Sequence, residues 1–169
     1  ERLGLPVATT TSAIDRVPTN SAIFAGRPGT WGGQRAANLI VAQADVIIAL
    51  GAQLDLQQTG FNYDQYSPQA KLVQVFPSQT ELDRPGPPTC KKILASADPT
   101  LAAVISKIQW IDTYGWRKYV EDIRDMLPPL EPENTNSPEF INSFYFLRNL
   151  SRATQTSDVL ALCSSGGTF

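Results

Sequence analysis

The stretch FAGRPGTWGGQRAANLIVAQADVIIALGAQLD, residues 24–55, sets four glycines ahead of an apolar helical pattern and then an apolar run that ends in Gly51. Ala36, Ala37, Ile40, Val41 and Ala44 recur at helical spacing, which predicts a helix over 33–43 with small residues on its packing face. ADVIIALG, residues 44–51, is a continuous apolar run bounded by an acid and a glycine, the pattern of a parallel strand covered on both faces. Glycines at a strand-to-helix junction allow close backbone approach, and the helix N-terminus offers unpaired N–H groups to an anion. Yet Gly26, Gly29, Gly32 and Gly33 could equally serve only to turn the loop under Trp31, and the G-x-G-x-x-G spacing directly after a strand is missing. Spacing alone favours the turn.

Working outward, residues 5–10 predict a strand after a glycine-capped helix end, and 11–20 a loop. KLVQVF, residues 71–76, predicts another strand, which Pro77 ends because proline has no N–H for a ladder. Asp98 and Pro99 predict the N-cap and first position of a helix whose stripe is Leu101, Val104, Ile105 and Ile108. Strands alternating with helices predict an α/β fold, a Rossmann-like parallel sheet flanked by helices.

A further helix is predicted over 112–127, with Trp116, Tyr119, Val120, Ile123 and Leu127 on one face. Glu121, Asp122 and Asp125 fall opposite, so they read as a solvated face and not as a catalytic carboxylate pair. PPLEPENTNSPE, residues 128–139, is a proline-rich linker and the predicted domain boundary. Ser137, Pro138 and Glu139 predict a helix start, with Phe140, Ile141, Phe144, Leu147 and Leu150 as its apolar face. The run DVLALC and the SSGGTF after it predict a buried strand entering a turn. A helix tail without its helix at one end, and a strand and turn without the next helix at the other, predict that both ends are cut.

The 169 residues can bury one core and the start of a second, and the formal charge of −2 comes with no basic face. Nucleic acid is therefore not an expected partner. No apolar run is long enough for a membrane span and no signal segment opens the chain, so a soluble, cytoplasmic protein is expected. Cys90 and Cys163 lack the spacing of a disulfide framework or zinc site. The absence of histidine excludes a Ser-His-Asp triad, a Cys-His dyad and imidazole acid–base chemistry.

Taken in order, LPVATTTSAIDRVP, GRPGTWGGQRAANLIVAQADVIIALGAQLDLQQTGF, YSPQAKLVQV, TEL and SADPTL resemble the central domain of thiamine-diphosphate enzymes of the acetolactate synthase type. The resemblance covers about the first two thirds of the chain. It implies a central domain over 1–127 that lacks its first βα unit, a linker over 128–137, and the beginning of the thiamine-diphosphate-binding domain over 138–169. Ser165, Gly166, Gly167 and Thr168 would occupy that domain's diphosphate turn, with Gly167 and Thr168 standing where the synthases carry a His-Gln pair. The family's activating glutamate and its metal-binding Gly-Asp-Gly motif lie in segments this sequence does not contain. No catalytic or metal-ligating residue is therefore assigned, and thiamine diphosphate and magnesium are implied for the intact enzyme alone.

In the synthases the central domain binds FAD, and the matching positions are Gly26, Gly29, Gly51, Thr59, Gly60 and Asp98. The family pattern G-x-R-x-D-D-R-x-T-G reads GAQLDLQQTG here, so Gln53 and Gln57 replace arginines and Leu56 replaces an acid. Two bidentate phosphate donors are lost. Phe76 stands where an acid would meet a ribose hydroxyl. These departures predict that neither FAD nor ADP is bound. The leading reading is thus a structural, assembly-forming piece of a synthase-like enzyme, inactive alone. Its alternatives are a free-standing ADP- or FAD-type nucleotide-binding module and a ligand-free scaffold in which Trp31, Trp110 and Trp116 are core or interface aromatics. An edge left by an absent unit would pair with the rest of its own enzyme or another copy, giving a homodimer or higher oligomer.

Overall fold

Small residues decide how the first helix sits. The computed structural model describes residues 3–156. In it β1 (Val7–Ala8) pairs in parallel with β2 (Phe24–Gly26), Val7 opposite Phe24. β2 is buried throughout. Sequence reading missed it, because three residues inside a glycine-rich stretch are too few to display a period. α1 (Arg35–Ala42) starts two residues later than predicted, after the N-cap Gln34, and buries Ala36, Ala37 and Ile40. A β-carbon on Gly26 would lie 2.9 Å from the Ala37 Cβ, so helix and strand approach more closely than larger residues would allow.

β3 (Val46–Leu50), β4 (Lys71–Phe76) and β5 (Lys91–Leu94) form a second parallel sheet in that order. The register runs unbroken from Val46 opposite Lys71 to Leu50 opposite Val75. α2 (Leu56–Thr59) and α3 (Gln79–Leu82) are single turns in the connections, and α4 (Ala97–Lys107) follows β5. β5 also escaped sequence reading, since Lys91 and Lys92 interrupt any apolar run. Ser96, and not Asp98, is the N-cap of α4. Asp98 and Pro99 fall in the first turn, where a carboxylate complements the helix dipole and the missing proline N–H breaks no bond.

The parallel α/β class is as expected, with two corrections. Among the described residues the strands form two sheets instead of one. β3, moreover, is not covered on both faces: Val46 is 56% and Ile48 48% exposed, whereas Val75 on the same face is 1% exposed. Among the described residues β3 is an edge strand that pairs with β4 alone, while α3 and α4 pack against β4.

α5 (Tyr114–Met126) carries the predicted face. Its Val120 and Ile123 join Ala25, Ala36 and Ile40 in one core, flanked by Trp116, Tyr119 and Leu127. Arg124 fastens it further, donating to the carbonyls of Phe24 at 2.7 Å and Thr19 at 3.2 Å. Glu121, Asp122 and Asp125 are exposed, as a solvated face requires. A second core of Ala49, Leu54 and Leu72 lies under the three-stranded sheet.

Beyond α5 the chain is irregular until α6 (Ser143–Ala153), which begins later than predicted. Asn142 caps it by accepting the Tyr145 N–H, while the Ser137 hydroxyl accepts the N–H groups of Glu139 and Phe140 in a separate turn. Phe140 and Ile141 therefore lie outside the helix and are exposed. Trp31 and Trp110 are exposed rather than core residues, and Trp116 stacks on Tyr119 at 5.0 Å. The predicted strand at 158–163 and the turn at Ser165, Gly166, Gly167 and Thr168 lie outside the described residues. Among the described residues no helix is long and apolar enough to cross a membrane.

Because α5 roofs β2 and α1, Ile123→Ala is expected to destabilise the fold by about 2–4 kcal/mol in urea unfolding. Glu121→Ala on the opposite face should change it by less than about 0.5 kcal/mol. Equal effects of the two substitutions would contradict the roof.

Candidate functional site

The candidate residues sit at or beyond the C-terminal ends of parallel strands, Gly29, Gly51 and Gly60 in the connections, Gly26 closing β2, Thr59 in α2 and Asp98 in the first turn of α4, the usual place for a ligand in α/β folds. The loop from β2 to α1 is closed by its own side chains. The Arg27 N–H donates to Gln34 Oε1 at 3.0 Å, and the Gln34 N–H returns to the Arg27 carbonyl at 2.8 Å. Asn38, one turn further along α1, holds the backbone of Gly29 at both its N–H and its carbonyl. Its Oδ1 accepts the Gly29 N–H at 2.9 Å and its Nδ2 donates to the Gly29 carbonyl at 3.0 Å. The loop doubles back so tightly that a β-carbon on Gly33 would collide with the Gly29 carbonyl oxygen. Glycine at 33 is therefore a condition of the loop's own closure.

A second loop, after β3, is stitched to the first. The Thr30 N–H donates to the Gln57 carbonyl at 2.7 Å, and the Thr30 hydroxyl to the Leu56 carbonyl at 3.1 Å. Asp55 caps α2 by accepting the Gln57 N–H, and the Thr59 hydroxyl donates to the Asp55 carbonyl at 2.7 Å. Gly26, Gly29, Thr59 and Gly60 are thus brought into one paired-loop region. A β-carbon on Gly60 would be 3.6 Å from Thr30 Oγ1. Gly51 instead faces Ala97 at the start of α4, where Asp98 is exposed. Trp31 and Phe61 project from the two loops and meet edge to face at 6.0 Å, with Phe61 76% exposed.

The groups that would grip a nucleotide are engaged elsewhere. Gln53 Nε2 donates to Glu81 Oε2 at 2.5 Å, and Arg84 pairs with the same carboxylate at 3.1 Å. The adjoining cleft, lined in part by Gln53, Glu81, Arg84, Cys90 and Lys92, has a volume of about 20 Å³. That is room for one water and not for a nucleotide. Gln74, buried in β4, donates to the Ala52 carbonyl at 3.0 Å and so fixes the start of the β3 loop. Among the described residues no cluster of three or more His, Cys, Asp or Glu is placed to hold a metal ion.

Four titratable groups are shifted among the described residues, one of them the Lys118 ammonium on α5, which its hydrogen bond to Asp122 raises. Burial, aided by the charge of a Cys90 thiolate, pushes the Tyr66 phenol up to about 12. Burial also raises the Cys90 thiol, against the smaller opposing effects of Lys92 and a Gln74 backbone hydrogen bond, which leaves it a poor nucleophile at neutral pH. Burial lowers the Arg27 guanidinium, whose Cζ lies 5.2 Å from the centre of the Phe24 ring. Arg124 lies 5.4 Å from the centre of the same ring.

Residues 1–104 match the family profile described as thiamine pyrophosphate enzyme, central domain. The chain is 30% identical over 128 residues to the acetolactate synthase isozyme 1 large subunit of Escherichia coli strain K12, covering 76% of this chain and 22% of that protein. It is 40% identical over 86 residues to the sulfoacetaldehyde acetyltransferase of Alcaligenes xylosoxydans xylosoxydans, covering 48% of this chain and 14% of that one. Against the acetolactate synthase of Mycobacterium avium it is 25% identical over 150 residues, covering 83% and 24%. The chain thus spans less than a quarter of the length of each of these relatives.

Asn38→Ala removes both bonds to Gly29 and leaves the peptide half buried, so a loss of about 1–3 kcal/mol is expected, with faster amide exchange over 27–34. An unchanged exchange rate would show that the clasp does not hold the loop. Tyr66 gives a pH signature. Its neutral form is favoured by folding, so its contribution is full below about pH 10, where the unfolded phenol titrates, and is lost as pH rises towards about 12. Absorbance at 295 nm should show a late tyrosine step towards about pH 12, and Tyr66→Phe should abolish that step.

Proposed function

The chain belongs to the thiamine pyrophosphate enzymes through their central domain, and from that premise we propose that it is the scaffold segment of an acetolactate synthase-like enzyme, inactive by itself. In this reading the parent decarboxylates a 2-keto acid and joins the remaining fragment to an acceptor in the cytoplasm, as a transferase or lyase. Thiamine diphosphate, held with magnesium, supplies the electron sink for that chemistry. Residues 1–127 form the central domain, 128–137 the linker, and 138–169 open the thiamine-diphosphate-binding domain, with Ser165, Gly166, Gly167 and Thr168 at its diphosphate turn. The segment's task is architectural: it sets the spacing between domains and offers surface to the rest of its own enzyme or to another copy.

The observation that carries the scaffold reading is the closed glycine loop. The N–H groups of Arg27, Gly29 and Thr30 already have partners in the protein, so a diphosphate would have to displace Gln34, Asn38 and the Gln57 carbonyl. Gln53 cannot stand in for a guanidinium, being donated to Glu81. The residues present do not fit FAD. The same facts weigh against a free-standing ADP- or FAD-type module built on Gly26, Gly29, Gly51, Thr59, Gly60 and Asp98.

Calorimetric titration of the folded chain with FAD and with ADP is expected to give no saturable binding in the micromolar range. Light scattering on the same samples should report a dimer or larger assembly. Saturable micromolar FAD binding would overturn the scaffold reading. A monomer at every concentration would remove the assembly role.

A further inference from the structure

We draw no further inference here: the strongest candidate, the open edge of β3 with the apolar sheet face formed by Val46, Ile48 and Ile93, is an unpartnered surface, and nothing in the structure shows what covers it.

Discussion

The carboxamide of Asn38 bonded to both the N–H and the carbonyl of Gly29 is the constraint on which the rest of the arrangement depends. A side chain on the first turns of α1 uses its donor and its acceptor on one loop residue nine positions earlier. The loop between β2 and α1 is then fixed in a fold tight enough to demand glycine at 33. Fixing that loop places Thr30 against the backbone of α2, and so ties the two-stranded and three-stranded sheets together at their C-terminal ends. An open nucleotide cradle would need these same amides free. Here the loop's hydrogen-bonding capacity goes into holding the domain together.

Packing beneath the loop follows the same logic. Ala36 and Ala37 on α1 and Gly26 on β2 are small, so the helix lies close to the strand and leaves little area of its own to bury. α5 supplies the missing apolar surface with Val120 and Ile123, then adds a charged hydrogen bond from Arg124 to the Phe24 carbonyl. Hydrogen bonds to charged groups contribute about 1.5–3 kcal/mol, more than a neutral pair. α5 lies beyond the residues that match the family profile, yet it shares a core with β2 and α1.

Elements with a long period were legible in the sequence. α1, β3 and α5 declared themselves because each offers five or more residues of continuous or helical apolar pattern, and β4 because Leu72, Val73, Val75 and Phe76 are closed by Pro77. β2 and β5 did not, being three residues in one case and half lysine in the other. The starts of α4 and α6 were misplaced for a shared reason. Asp98 and Ser137 are good cap residues by type, but Ser96 and Asn142 occupy the cap positions, and a cap is defined by backbone conformation that composition does not reveal. At the candidate site the glycines and the lost arginines could be read directly. The clasp could not, because the bonds from Gln34 and Asn38 exist only once the loop has folded back. Its one sequence signal is two carboxamides spaced four apart at the start of a helix that otherwise buries alanines.

The most direct test of the account is residue-resolved amide hydrogen exchange at Arg27, Gly29 and Thr30. If these amides are bonded within the protein, they exchange slowly in the free chain and their rates do not change when FAD or ADP is added. Fast exchange in the free chain, with protection appearing only on adding a nucleotide, would contradict it and make the loop a binding site after all.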